Sequence, residues 1–218
     1  MPRWLANPLA LVILFGIPIA LILTNVFIFM TPNWLAYQYS QPDFPPSVRF
    51  TPQDRYRLAS DSIEYIRGNR TLEQFKALGV YDEREVKHMV DVRDLVDKVK
   101  VGLPMVAILI LVSLAALARQ KENRAPAARG LLNGAILTIG LFVAIGLFAA
   151  IGFQTFFTLF HKVFFEGDTW LFDHTDSLIQ FYPLPFWFAT SLALVATTIV
   201  EAIIIGLIGW WWGKNAIR

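Results

Sequence analysis

Residues 82–118, DEREVKHMVDVRDLVDKVKVGLPMVAILILVSLAALA, join a charged segment to an apolar one. Asp82 is a suitable helix start, and no turn signal separates the charged part from the apolar run that begins at Val101. Only Gly102 and Pro104 interrupt the helical pattern. The sequence therefore predicts one long helix whose second half, residues 101–118, crosses a membrane, while its first half belongs to a cap outside the bilayer.

Three further apolar runs are long enough to cross a bilayer, at residues 9–30, 131–160 and 186–212. The first is too long for the apolar core of a signal peptide, so we expect a retained helix. The fold class predicted is an all-α membrane protein with four transmembrane helices and a mainly helical extracytoplasmic cap. The predicted segments are a first transmembrane helix (1–30), the cap (31–100), a second transmembrane helix (101–118), a basic cytoplasmic loop (119–130), a third transmembrane helix (131–160), an aromatic lip (161–185) and a fourth transmembrane helix with a cytoplasmic tail (186–218).

Charge is distributed unequally between the two sides that four spans define. One side holds the termini and the 119–130 loop, with seven basic residues and one acidic residue. The other side holds residues 31–100 and 162–185, with 12 basic and 15 acidic residues. Because basic residues concentrate on the cytoplasmic side, we expect both termini in the cytoplasm and the cap outside. The seven basic residues are Arg3, Arg119, Lys121, Arg124, Arg129, Lys214 and Arg218.

Composition excludes several kinds of chemistry. Of 218 residues, 56% are hydrophobic, none is cysteine and three are histidine. A chain without cysteine has no disulfide, no thiolate metal site and no cysteine nucleophile. No phosphate-binding glycine loop, serine-hydrolase elbow or zinc-protease motif occurs, and basic residues are not clustered with aromatic ones outside the membrane. We therefore predict no cofactor, no metal and no nucleic-acid partner.

The cap carries helix signals in its second part. Prolines between residues 32 and 46 indicate an extended stretch first. Thr51 and Pro52 are typical of a helix start, and that helix should end near Gly68. A short helix around residues 72–78 should stop at Gly79.

The lip is rich in aromatic side chains for a loop: residues 153–188 hold 13 of the 31 aromatic residues. We expect the lip to dip into the outer membrane interface, where aromatic rings concentrate, with a plain aromatic girdle as the alternative. The side chains that suggest this are Trp170, Leu171, Phe172, Leu178, Ile179 and Phe181.

Two of the three histidines are predicted at the same height. His88 and His161 each lie 30 residues from the inner ends of their helices, at Ala118 and Leu131. At about 1.5 Å per residue, both would lie roughly 45 Å from the inner ends of their helices, which places them outside a hydrocarbon core about 30 Å thick. The count permits a joint histidine site, although a kink at Pro104 would lower or tilt His88.

The neighbours of these histidines suit a site but also have simpler interpretations. Glu85 and Asp91 flank His88 at a spacing of three residues, so either could orient its ring. A solvated charged helix is the alternative. Thr158 shares a stripe with His161 on a phenylalanine-rich helix, where the alternative for His161 is interfacial anchoring.

The third histidine and one acidic residue lie outside this site. His174 is predicted to belong to the cap of a short helix that runs through Gln180. Glu201 lies deep within the fourth transmembrane helix, where it is either functional or hydrogen-bonded to a polar partner such as Ser113 or Thr138.

Two stretches of the sequence carry specific motifs. The first is residues 85–92, EVKHMVDV, and the second is FHKVFF at residues 160–165, followed by GDTWLFD at 167–173 and TDSLI at 175–179. Together with four spans and an outer cap, these motifs resemble the bacterial lipoprotein intramolecular transacylase family. The resemblance implies a transfer of the sn-2 acyl chain of a diacylglyceryl-cysteine lipoprotein to its N-terminal amine, which leaves a lyso-form lipoprotein. It implies diacylated lipoproteins as partners, within membrane lipid.

The resemblance also assigns residues. His88 and His161 would be the catalytic acid–base pair, with the division between base and acid left open. Glu85, Asp91 and Thr158 would orient or tune them. The substrate pocket would be formed by Met89, Phe157, Phe164, Phe165, Asp168 and Trp170.

Two other functions remain as alternatives to a transacylase. They are a metal-assisted membrane hydrolase and a non-enzymatic scaffold that binds lipid or a partner.

Overall fold

The structure is a computed structural model that describes residues 2–216, except for the side chains of Arg3 and Ala216. Arg218, which contributed to the charge argument, lies outside the described residues. All regular structure within them is helical. The helices are α1 (Arg3–Phe29), α2 (Pro32–Tyr39), α3 (Pro52–Arg67), α4 (Leu72–Lys76), α5 (Glu83–Ala118), α6 (Arg124–Ile151), α7 (Phe153–Phe164), α8 (Ser177–Phe181) and α9 (Leu184–Ala216), with a 3₁₀ turn at Lys121–Asn123.

Four of these helices are long and apolar enough to cross a membrane, which confirms the predicted fold class. They occupy Trp4–Phe29, Glu83–Ala118, Lys121–Ile151 and Leu184–Asn215. Helix α5 continues through Gly102 and Pro104, as its sequence predicts. The chain forms two compact units: a membrane unit (Met1–Val26, Lys100–Leu147, Ala193–Arg218) and a cap unit (Phe27–Val99, Phe148–Leu192).

Glycines let helices approach closely within the membrane unit. A methyl group added at Gly134 would lie 3.1 Å from the Leu14 carbonyl oxygen of α1 and 2.7 Å from the Ile17 side chain. On the other side of α6, a methyl group at Gly209 of α9 would lie 2.8 Å from the Leu132 amide nitrogen. Small residues therefore allow α6 to pack against both α1 and α9, as is common between membrane helices.

The partner of Glu201 differs from the two that its sequence suggested. The side-chain amide of Asn25, on α1, donates to the Glu201 carboxylate at 2.7 Å and to the Thr198 hydroxyl at 3.1 Å. Asn25 and Thr198 are fully buried. This hydrogen-bonded group gives an acidic residue in a membrane helix a polar partner, and it lies within the membrane unit.

The first part of the cap corrects the expectation of an extended stretch. Residues 32–39 form α2, with Thr31 as its N-cap and Pro32 in its first turn. Proline is tolerated there because the first backbone N–H groups of a helix have no intrahelical partner. Both ends of the next helix agree with prediction. Thr51 is the N-cap of α3, and Gly68 ends this helix in the left-handed region at φ 91°.

The third apolar run is two helices, where the sequence predicted one through residue 160. Helix α6 ends at Ile151, and α7 starts at Phe153. Gly152 between them has φ −139° and ψ 56°, outside the helical region. Glycine weakens a helix interior by about 1 kcal/mol relative to alanine, which favours an interruption at this position.

Part of the lip is buried in the cap core, contrary to the expectation that it dips into the interface. Leu178 and Phe181 are 6% and 0% exposed and pack with Leu58, Ile63 and Phe75. Arg55 of α3 is also buried, and its guanidinium donates to the backbone carbonyl of Gln180 at 2.6 Å. Helix α8 is therefore held by packing and by hydrogen bonds to the cap.

Candidate active site

The structure brings His88 and His161 together within the cap unit. His88 lies in the charged part of α5, and His161 lies near the end of α7. Their ring centroids are 6.0 Å apart with an angle of 29° between the ring planes. The two side chains are only 8% and 9% exposed, so the pair occupies a largely dry position.

The ring of His161 has a hydrogen bond at one nitrogen and two aromatic rings close to it. Its Nδ1 lies 2.7 Å from the backbone carbonyl oxygen of Phe157, one turn earlier in α7. A carbonyl only accepts hydrogen bonds, so Nδ1 carries the hydrogen and Nε2 of the neutral ring keeps its lone pair. Phe157 and Trp170 lie against the ring, with centroids at 4.1 and 4.9 Å.

Trp170 reaches His161 from a tight turn of the lip. Its indole N–H donates to the Gly167 carbonyl at 3.1 Å, and Gly167 has φ 68°, where glycine is favoured. Asp168, a predicted pocket residue, is exposed in the same turn. The turn thus presents Trp170 to the histidine and Asp168 to solvent.

The ring of His88 has a different environment. Its Nδ1 is buried and has no hydrogen-bond partner among the described residues. Phe165 and Phe172 meet the ring edge to face, with centroids at 4.9 and 5.4 Å. A buried polar atom without a partner costs about 1–3 kcal/mol, so it marks a place where a substrate group could bind.

Burial keeps both histidines neutral near pH 7. Burial, and to a lesser extent the nearby His161, lower the pKa of His88 to about 4. Burial also lowers the pKa of His161, and its hydrogen bond to the Phe157 carbonyl opposes that shift. A neutral imidazole can accept a proton at one nitrogen and donate a hydrogen bond from the other, and it places no buried charge in the resting state.

The two carboxylates predicted to orient His88 are placed differently from each other. Glu85 is 2% exposed and accepts hydrogen bonds from the backbone N–H groups of Asp82 and Leu178. Asp91 is half-buried on α5. Neither of them bonds Nδ1 of His88, which has no partner in the described part of the chain.

The remaining predicted residues divide into inner and outer positions. Met89 is 5% exposed in the cap core, and Phe165 is 8% exposed and contacts both histidine rings. Phe164 is 49% exposed and packs on Phe160. Thr158 is half-buried on α7.

Two features of the site were missing from the sequence prediction. Phe172 was expected in the lip but not against His88. The Phe157 carbonyl, which selects the tautomer of His161, is a backbone group that no residue pattern reports. Within residues 2–216, three or more histidine or acidic side chains do not come together as a metal site would require.

Comparison with known proteins gives the family. The family model described as lipoprotein intramolecular transacylase Lit matches residues 11–187. The solved structure of the membrane integral lipoprotein intramolecular transacylase Lit from Bacillus cereus is similar over 98% of each chain, with a TM-score of 0.81 and 22% identity. The same protein with one histidine replaced by arginine gives a TM-score of 0.76 over 97% of this chain and 93% of that one.

A relative in sequence covers most of the chain as well. It is an uncharacterised protein of Aquifex aeolicus (strain VF5), 26% identical over 187 residues, which are 81% of this chain and 83% of the relative. The structural likeness shows a shared fold, and the family model shows membership because it spans most of the chain. The chain therefore belongs to the lipoprotein intramolecular transacylase Lit family, as a multi-pass membrane acyltransferase.

Proposed function

We propose that this protein moves the sn-2 acyl chain of a diacylglyceryl-cysteine lipoprotein to the N-terminal amine of the same molecule. The observation that carries the proposal is the pair of buried, neutral imidazoles 6.0 Å apart within aromatic walls. The substrate brings both the nucleophile and the ester. The protein then has to supply only orientation and proton transfer, which two histidines can perform.

The reaction closes a ring of eight atoms: the amine nitrogen, Cα, Cβ, the sulfur, two glyceryl carbons, the ester oxygen and the carbonyl carbon. The amine nitrogen bonds to the carbonyl carbon, and the bond between that carbon and the sn-2 oxygen breaks. The products are an amide and a free sn-2 hydroxyl. The amine loses one proton and the departing oxygen gains one, so the step balances without a further reactant.

His161 suits the role of base. With Nδ1–H bonded to the Phe157 carbonyl, Nε2 is left with a lone pair that can take the proton of the attacking amine. An N-terminal amine has a pKa near 8, so mild base assistance is enough at neutral pH. The carbonyl also stabilises the imidazolium that forms during the transfer.

His88 suits the role of donor. As a neutral imidazole it has one ring N–H, which can bond the ester carbonyl oxygen or the departing glyceryl oxygen. Its Nδ1 has no hydrogen-bond partner in the part of the chain that the structure describes, which leaves hydrogen-bonding capacity for a substrate. The low pKa keeps the ring neutral in the resting state, so His88 acts as a hydrogen-bond donor, and the proton that the departing oxygen gains is the one that His161 takes from the amine.

The aromatic walls favour transfer over hydrolysis. Phe157, Phe165, Phe172 and Trp170 surround the two imidazoles and leave little room for water. Exclusion of water protects the ester from hydrolysis and strengthens interactions with the developing charge. The exposed ring of Phe164 offers an apolar surface to acyl chains.

The proposed orientation follows from charge. The basic 119–130 loop and both termini would lie in the cytoplasm, and the cap unit would lie outside. Mature lipoproteins are anchored in the outer leaflet by their acyl chains in this arrangement, so the ester would reach the cap without crossing the membrane.

The test is acyl mapping on a defined substrate. The purified protein in lipid is incubated with an equal mixture of two diacylated lipopeptides, one isotopically heavy in both peptide and acyl chains. Fragmentation by mass spectrometry locates the acyl group. We expect N-acylated, lyso-form products with acyl and peptide labels still matched, since transfer occurs within one molecule.

Other outcomes point to other functions. Mixed labels would contradict intramolecular transfer. Released fatty acid that a metal chelator abolishes would indicate a metal-assisted hydrolase, and unchanged lipopeptide would indicate a non-enzymatic scaffold. Either result would overturn the proposal.

A further inference from the structure

The carboxylate of Glu85 links the start of α5 to the lip. Its Oε2 accepts from the Asp82 N–H at 3.0 Å, and its Oε1 accepts from the Leu178 N–H at 2.8 Å. The side chain is 2% exposed. A buried carboxylate with one donor on each oxygen is held in a single place, because charged hydrogen bonds to backbone donors are strong.

The two bonds have different roles. The bond to Asp82 closes a reciprocal cap, since the Asp82 carboxylate accepts in turn from the Glu85 N–H at 2.7 Å. The bond to Leu178 spans 93 positions of sequence and reaches the first turn of α8, whose N–H groups have no intrahelical partner. Of the two bonds that Glu85 accepts, the one from Leu178 joins the lip to α5, the helix that carries His88.

Neighbouring contacts act on the same segment. The guanidinium of Arg84 forms an ion pair with Asp176 at 3.0 Å and lies over the ring of Phe172 at 5.5 Å. The hydroxyl of Ser177 donates to the Val80 carbonyl at 2.5 Å. Residues 80–85 therefore hold lip residues 172–178 at several points, and among these contacts Glu85 and Ser177 are both buried, at 2% and 0% exposure.

This fastening bears directly on the histidine pair. Phe172, at the start of the fastened segment, meets His88 edge to face at 5.4 Å. His88 lies one turn along α5 from Glu85, so a lip held to that turn keeps Phe172 against the imidazole. Loss of the Leu178 bond would leave that wall free to move away and admit water.

We propose that Glu85 is a positioning residue that acts through the lip and not through the ring of His88. Its carboxylate fastens α8 and Phe172 over the imidazole, which preserves the orientation and dryness that acyl transfer needs. The proposal rests on the proposed function for its effect on rate, whereas the fastening itself can be measured without any reaction.

The experiment compares Glu85→Gln with Glu83→Gln in the full chain in lipid. A glutamine offers one acceptor oxygen, so one of the two backbone donors loses its partner. Glu83 is exposed in the same first turn and controls for loss of a carboxylate. Three quantities are measured: kcat and KM with a diacylated lipopeptide, the pH midpoint of the rate, and amide hydrogen exchange of lip peptides.

We expect Glu85→Gln to lower kcat about tenfold, as loss of one charged hydrogen bond implies, with a smaller change in KM. Exchange at residues 172–181 should become faster while the pH midpoint stays in place. Glu83→Gln should match the wild type. Ser177→Ala, which removes a weaker contact on the same segment, should lower kcat and protection in the same direction by a smaller factor, and it serves should Glu85→Gln fail to fold.

Several results would overturn the proposal. These are a Glu85→Gln variant with wild-type turnover, a slow variant with unchanged lip exchange, a shifted pH midpoint, or an equal loss in Glu83→Gln. A wild-type chain without acyl migration would instead overturn the proposed function. The exchange data separate the two failures because they require no turnover.

Discussion

The two histidines differ in how the protein uses the nitrogen atoms of their rings. His161 lies near the end of the short helix α7, with one nitrogen bonded to a backbone carbonyl and two aromatic rings against it. His88 lies within a 36-residue helix, with two phenylalanine rings edge-on to it and no hydrogen-bond partner for its Nδ1 among residues 2–216. One imidazole has its tautomer selected by the protein, and the other has hydrogen-bonding capacity left for a substrate.

This difference indicates a division of labour. A base must present a lone pair, which the Phe157 carbonyl secures on Nε2 of His161. A donor needs only an N–H in the right place, and the low pKa of His88 keeps that group uncharged at rest. A replacement that keeps an N–H donor but cannot accept a proton should therefore be more harmful at His161 than at His88.

The largest effect is expected at His161. His161→Asn and His161→Phe should both lower the rate of acyl migration by about 10³-fold, because neither side chain can accept a proton at neutral pH. Mass spectrometry of the lipopeptide measures the rate. Lys162→Ala, at the exposed next residue, is the control and should retain wild-type activity. Substantial activity in His161→Asn would contradict the role of base.

A smaller and graded effect is expected at His88. His88→Phe should lower the rate of acyl migration by about 10²- to 10³-fold. His88→Asn keeps an N–H donor, so its rate should be about tenfold higher than that of His88→Phe. The same assay measures both. Equal losses in the two variants would show that His88 needs a titrating ring, which would remove the distinction between the two histidines.

The ring over His161 should matter less than either histidine. Trp170→Ala should lower kcat about tenfold, because it uncovers one face of the imidazole and admits water. Trp170→Phe keeps an aromatic face and loses the indole bond to Gly167, so its loss should be smaller. A Trp170→Ala variant with wild-type kcat would show that stacking contributes nothing to the reaction.

The pH dependence of stability should differ between wild type and His88→Phe. Above pH 6.5 His88 is neutral in both folded and unfolded chains, so it contributes no pH dependence. As the pH falls from 6.5 to about 4, the unfolded chain takes up a proton that the folded chain does not. Burial of His88 therefore lowers the free energy of unfolding by up to about 3 kcal/mol as the pH falls, and this decrease levels off below about pH 4.

The measurement is the melting temperature in lipid between pH 7 and pH 4.5. The wild type should lose more stability on acidification than His88→Phe, with His174→Phe at an exposed histidine as the control for removal of an imidazole. Identical slopes in wild type and His88→Phe would show that burial of His88 does not depress its pKa.

The fold was predictable from sequence where local rules dominate. Long apolar runs, Thr51 with Pro52 and the uninterrupted 82–118 pattern each depend on residues near one another, and the structure follows them. The errors arose where a residue has two permitted uses. Pro32 suits the first turn of a helix as well as an extended chain, and Gly152 can be carried within a helix or interrupt it.

The site was only partly predictable because its partners are distant in sequence. Helical counts placed His88 and His161 at one level, and the structure has their rings 6.0 Å apart. The counts could not show that Glu85 bonds Leu178 or that Phe172 meets His88, since these pairs lie 93 and 84 positions apart. Likewise, Asn25 became the partner of Glu201 through packing of α1 against α9.

The central claim is that the two imidazoles act together in one transfer, and a double-mutant cycle tests it most directly. Acyl migration is measured for wild type, His88→Phe, His161→Phe and the double variant under identical conditions. Residues that act as a unit lose little more when both are removed, so we expect the double variant to be about as slow as the slower single variant. Losses that multiply, or wild-type activity in either single variant, would contradict a histidine pair.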